Sequence, residues 1–206
     1  MKISVAITTH NDRVVTIPKH HIIDEVIIYD KPHDSVFDAK LEAVKLCKNE
    51  WVLLLDSDDS FDDIFFDTIA KLNLKEERLY CPERPLPYSF KGYSDYLYTK
   101  DSIRYSIDEG NFIAFLICGG YLFNKQRYLN SCNVIHEKIW RNDCFYLKYL
   151  WLANLGSIHI VKGLQYNHNS QPDGVMATYA TEIWGEVDQL KKMILQLEAV
   201  GLINQH

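Results

Sequence analysis

The sequence predicts an α/β fold, with a mostly parallel central sheet flanked by helices on both faces. Three observations carry that prediction. Up to Cys81, apolar runs of strand length alternate with segments of helical spacing in a β-α-β-α rhythm. The run Trp51-Val52-Leu53-Leu54-Leu55 ends abruptly in Asp56-Ser57-Asp58-Asp59, and ligands of open α/β sheets bind beyond the carboxyl ends of strands. A chain of 206 residues also suits one domain with a substantial core.

Taken in order, Ile3 to Thr8 reads as a buried strand and Glu25 to Tyr29 as a second, joined by a short helix or turn. Ser35 to Cys47 has helical spacing through Val36, Phe37, Leu41, Val44 and Leu46, with Asp34 or Ser35 as its cap. Trp51 to Leu55 is the third strand. Asp62 to Leu72 reads as a helix with acids in its first turn, where the dipole favours them. Arg78 to Cys81 is a fourth strand. From Pro82 to Asn111 periodicity gives way to Pro, Tyr, Ser, Gly and Lys, and a loop of that length is usually a lid or binding loop. Its aromatics (Tyr88, Phe90, Tyr93, Tyr96, Tyr98, Tyr105) either line a substrate site or pack the loop on its own domain. A strand near Ile117 to Phe123, a helix from about Asn142, a strand from Ser157 to Gln165 and an amphipathic helix from about Thr178 to Leu202 complete the chain.

Apolar residues make up 47% and charged residues 24%, ordinary for a soluble globular protein. The net charge of −6 and the lack of a basic run argue against nucleic acid as a partner. Cys47, Cys81, Cys118, Cys132 and Cys144 are odd in number and contain no Cys-x-x-Cys pair, which favours reduced thiols in a cytoplasmic protein. The chain opens on Met1-Lys2 and a short strand rather than a signal-peptide core. Its longest apolar stretch, Phe112 to Phe123, is too short for a transmembrane segment and is broken by Gly119-Gly120, so any membrane contact would be peripheral.

Three carboxylates within four residues repel one another unless a cation neutralises them. Hard oxygen ligands suit a divalent ion, with a phosphate-bearing substrate completing its shell. A calcium EF-hand loop fails, because the sixth residue from Asp56 is Phe61 and the twelfth is Asp67. Capping of the next helix by Asp59 or Ser60 accounts for one acid but not three. A Walker-type loop is excluded by the absence of any Gly-Lys-Ser/Thr element.

A first strand ending in Thr8-Thr9-His10-Asn11, a second ending in Tyr29-Asp30, a helix carrying Ala39-Lys40 and a strand delivering Asp56-x-Asp58-Asp59 together resemble a GT-A-fold (Rossmann-like) glycosyltransferase, most closely the family 2 type. The resemblance implies that Asp58 binds Mn²⁺ or Mg²⁺ directly, that Asp56 joins the metal site while facing the ribose and sugar, and that Ser57 lies beside the donor. It places Thr8, His10 and Asn11 at the nucleotide, Asp30 at its base or ribose, and Lys40 at the basic position of that helix. Gly120-Tyr121-Leu122-Phe123-Asn124-Lys125 resembles the strand-turn leading into the acceptor half. His136-Glu137-Lys138-Ile139-Trp140-Arg141-Asn142-Asp143 resembles the stretch whose last acid is the catalytic base, which makes Asp143 the base; Asn142 departs from the acid common there. Tyr166-Asn167-His168 with Gly174-Val175 resembles the loop closing over the diphosphate, where His168 would bind metal or phosphate.

The plainer readings stand beside these. Asn142-Asp143 also makes a good helix start, His168 an ordinary hydrogen-bonded histidine, and Lys40 a solvated helix residue. By resemblance the chain is one glycosyltransferase domain, with residues 1–111 as the nucleotide-sugar half and 112–206 as the acceptor half. It would move a sugar, with inversion, from a nucleotide-sugar donor (a UDP-sugar by family habit) to a glycan or other hydroxyl acceptor. The competing classes are a non-catalytic nucleotide-sugar-binding or interaction module and a nucleotidyltransferase. The latter would open with a Gly-rich loop that Thr8-Thr9-His10-Asn11-Asp12-Arg13 lacks.

Overall fold

Among the described residues, one seven-stranded sheet runs in the order β2-β1-β3-β6-β4-β7-β5. Its strands are β1 (Ile3–Thr8), β2 (Ile23–Tyr29), β3 (Trp51–Asp56), β4 (Arg78–Glu83), β5 (Leu97–Tyr98), β6 (Tyr121–Asn124) and β7 (Ser157–Gln165). The computed structural model describes residues 1–9, 14–32, 35–61, 63–83, 97–98, 119–133, 147, 151 and 156–166. The expected helices near Asn142 and from Thr178 to Leu202 lie outside the described residues, as does most of the stretch from Pro82 to Asn111.

Parallel pairing joins β1 to β2, β1 to β3 and β4 to β7, whereas β6 runs antiparallel to both β3 and β4. Five strands (β2, β1, β3, β4, β7) therefore point one way, with β6 and β5 reversed. The sheet is mostly parallel, as the sequence predicts. All six residues of β1 are buried, as expected of a strand covered on both faces. The edge strand β2 stays partly exposed.

Helix α1 (Val36–Leu46) starts where Ser35, in extended backbone, accepts a hydrogen bond from the Asp38 amide at 3.0 Å. It packs against β1, β2 and β3 through Phe37, Ala39, Lys40, Ala43 and Val44. Helix α2 (Asp63–Ala70) lies on a different cluster, in which Phe65, Phe66 and Ile69 meet Ile3, Val5 and Ile7 of β1 and Leu53 and Leu55 of β3. Side chains alternate along a strand. The helix face of the sheet left to α1 thus carries Ala6, Thr8, Val52, Leu54 and Asp56.

Helix α3 (Lys125–Cys132) was not evident from periodicity. Its signal is Asn124, whose side-chain oxygen accepts from the Arg127 amide at 3.1 Å and caps the helix as β6 ends. The strand expected from Ile117 begins only at Tyr121, because Gly119 and Gly120 adopt φ of 81° and 67°, outside the strand region. That late start makes room for Pro82 in an interior strand. The β4–β6 ladder is confined to Tyr80 opposite Leu122, so Pro82 faces no β6 carbonyl that needs its missing N–H. The brief strand Leu97–Tyr98, inside a stretch expected to be irregular, pairs with β7.

Candidate active site

The carboxyl ends of β2, β1 and β3 finish level with one another. Thr8 pairs with Tyr29 on one side and with Asp56 on the other. From this edge the chain leaves β1 toward β2 and leaves β3 toward α2 and β4, in opposite directions. The gap between Thr8 and Asp56 is therefore the topological switch point, where open α/β sheets form their ligand crevice. Chain order alone generates it.

Three segments furnish the crevice with polar groups. At the end of β1 the Thr9 amide donates to the Tyr29 carbonyl at 3.0 Å, tying Asp30 to the same edge. The Thr9 hydroxyl is buried and has no hydrogen-bond partner among the described residues, a condition that buried hydroxyls rarely tolerate without a ligand or water. After β3 the Asp59 amide donates to the Asp56 carbonyl at 3.3 Å, closing a turn that holds Ser57 and Asp58 at its tip. Helix α2 begins at Asp63, so capping by Asp59 or Ser60 does not explain the acids.

The third segment is α1. Lys40 lies between Phe37 and Val44 on the sheet-facing side of the helix, and its Nζ sits 2.7 Å from Asp56 Oδ1. Its side chain is 4% exposed, against 23% for Asp56. The plainer reading of Lys40 as a solvated helix residue does not hold: a cation is built into the wall. Its sequence signal was a lysine three residues after Phe37 and four before Val44, inside an apolar stripe.

Of the expected site residues, Thr8, Asp30, Lys40, Asp56, Ser57 and Asp58 gather at this edge. His10, Asn11, Asp143 and His168 lie outside the described residues. Among the described residues no three His, Cys, Asp or Glu side chains converge into a metal cage. The acids fit a different mode of binding, in which one or two carboxylates hold Mg²⁺ or Mn²⁺ and phosphate oxygens and waters supply the rest of the shell.

A further part of the wall involves Tyr166, which the sequence sets in a stretch resembling the loop that closes over the diphosphate. The β3–β6 register pairs Leu54 with Tyr121, so Gly119 and Gly120 precede β6 beside the carboxyl end of β3. Tyr166, directly after β7, lays its ring over Gly119 and Gly120 and beside Pro82. A Cβ on Gly119 would come within 1.8 Å of the Tyr166 hydroxyl oxygen, so the glycine is sterically required. That hydroxyl is buried and has no hydrogen-bond partner among the described residues.

No protein-family model and no curated protein sequence matches the chain. Solved structures do match it in fold. The crystal structure of S. aureus TarS 1-349 superposes with a TM-score of 0.57 at 15% identity, covering 84% of this chain and 61% of that one. The same TarS fragment in complex with UDP-GlcNAc gives 0.59 at 12% identity, covering 87% and 61%. A longer S. aureus TarS structure gives 0.50 at 13% identity, covering 84% and 37%. The present chain spans about three fifths of the length of TarS 1-349. At such identity the likeness is one of fold. No helix among the described residues is long and apolar enough to cross a membrane.

Proposed function

We propose that this chain is a glycosyltransferase that uses a nucleotide-sugar donor and a divalent metal. One observation carries the reading: acids Asp56 to Asp59 stand at the carboxyl end of a central strand, at the switch point of a fold shared with TarS, a glycosyltransferase whose complex holds UDP-GlcNAc. The Thr9 hydroxyl at the same edge, buried with no partner among the described residues, supports a polar ligand there. The TarS complex with UDP-GlcNAc supports a UDP-sugar as the donor.

In this proposal Thr8, Thr9, His10, Asn11 and Asp30 border the nucleoside, and Asp56 and Ser57 face the ribose and sugar. Asp58, together with His168, would hold Mn²⁺ or Mg²⁺. When bound, such a cation offsets the negative charge that develops on the departing diphosphate. The acceptor hydroxyl oxygen bonds to the anomeric carbon as the bond from that carbon to the diphosphate oxygen breaks. Asp143 takes the hydroxyl proton during the attack. A base placed on the face opposite the leaving group gives inversion.

Asn142, where an acid is common, favours one second reading, a module that binds nucleotide sugars without transferring them. Incubation of the protein with UDP-sugars and Mn²⁺ separates the two. Release of UDP supports a transferase, and binding without release supports the module. Pyrophosphate formed from nucleoside triphosphates would instead indicate nucleotidyl transfer and overturn both.

A further inference from the structure

A buried lysine is expensive to keep. Desolvation disfavours its charge, and replacing a buried ion pair by apolar side chains of similar size is often neutral or stabilising. Lys40 is nevertheless placed in the sheet-facing stripe of α1, among Phe37, Ala39, Ala43 and Val44. Its ammonium reaches past the sheet to the last residue of β3, where Asp56 Oδ1 lies 2.7 Å away. The two partners are unequal: Lys40 is 4% exposed and Asp56 23%. Lys40 therefore presents almost no surface to a molecule arriving in the crevice, whereas Asp56 does.

We propose that Lys40 is a positioning residue: it does not touch the nucleotide but fixes the Asp56 carboxylate in the rotamer that meets it. This inference rests on the donor-site reading given above. The terminal torsion of an aspartate is broad, so a free carboxylate at a strand end would sample several orientations. A short charge-assisted hydrogen bond from a side chain itself locked by packing removes that freedom. The pair also leaves the turn one negative charge lighter beside a polyanionic ligand. On this view Asp56 contributes orientation and hydrogen bonding to the donor, and the metal falls to Asp58.

The test is a double-mutant cycle on ligand affinity, measured by calorimetry with UDP and Mn²⁺ below the unfolding temperature. Lys40→Met and Asp56→Asn should each weaken UDP by about tenfold to a hundredfold, the range of a hydrogen bond to a charged group. The double variant should bind within about twofold of Asp56→Asn alone, because Lys40 acts only through Asp56. Multiplied losses in the double variant would mean that Lys40 meets the nucleotide itself and would overturn the inference. So would unchanged UDP affinity in Lys40→Met with a lowered unfolding midpoint, the signature of a purely structural pair. Should Lys40→Met fail to fold, the comparison of Asp56→Asn with the double variant, which removes both charges together, still decides. Wild-type protein that binds neither UDP nor UDP-GlcNAc would sink the donor-site reading as well, and that result is visible before any variant is made.

Discussion

Replacing Gly119 by alanine tests the geometry of the crevice wall where it is tightest. Two costs combine. At φ of 81° the backbone is left-handed, which for a residue with a Cβ costs about 1–2 kcal/mol. The added methyl would also stand 1.8 Å from the Tyr166 hydroxyl oxygen and 2.5 Å from its Cζ, so the ring must move. It has little room, because Gly120 and Pro82 already pack on the same side. Overpacking of that kind costs about 1–3 kcal/mol, for a total of about 2–5 kcal/mol. Gly163 is an internal control: its φ is 74°, but among the described residues nothing lies within 4 Å of its missing Cβ, so alanine there should incur only the backbone cost. Urea unfolding followed by tryptophan fluorescence should show Gly119→Ala less stable than Gly163→Ala by about 1–3 kcal/mol. The excess should vanish when Tyr166 is also replaced by leucine. Equal losses for the two alanines would mean that Tyr166 does not cover Gly119 and that this wall is wrongly assembled.

Three further outcomes are expected. Asp58→Ala should remove the manganese-dependent part of UDP binding in a titration with and without Mn²⁺; an unchanged manganese effect would refute its role as a ligand. Asp143→Asn should lower turnover about a hundredfold or more while leaving UDP affinity within about twofold, and full turnover would remove it from the role of base. Burial pushes the Cys132 thiol from its ordinary 9.0 to about 12, outweighing the opposing influences of Tyr128 and Lys45. The unfolded chain therefore loses this proton first, so the stabilisation is complete below about pH 9 and declines as pH rises toward 12, by about 1.4 kcal/mol per pH unit. Cys132→Ala should flatten the fall in unfolding free energy between about pH 9 and pH 11, and an identical slope in both proteins would count against the burial.

Local chemistry made much of the fold legible. β1 and β3 are predominantly apolar because both of their faces are covered, and Ser35 announces α1 by a short-range hydrogen bond. What escaped is non-local or stereochemical. Nothing near Tyr121 states that its strand will insert between β3 and β4, since pairing order depends on the whole chain. Gly119-Gly120 moved the start of that strand by adopting left-handed backbone, and α3 hides behind a single capping Asn124. At the site, the acids after β3 were visible as a cluster and their place at the switch point followed from the β-α-β rhythm. The pairing of Asp56 with Lys40 was not, because spacing sets Lys40 in the apolar stripe of α1 without saying which strand residue its ammonium meets.

The central claim is that Asp56 and Asp58 look into a crevice that receives a nucleotide diphosphate through a divalent cation. A crystal structure of the protein grown with UDP and Mn²⁺ tests it directly. The prediction is density for the diphosphate beyond the ends of β1 and β3, with manganese on Asp58 and Asp56 still held by Lys40. Nucleotide bound elsewhere, or an empty crevice with both aspartates turned away, would contradict it.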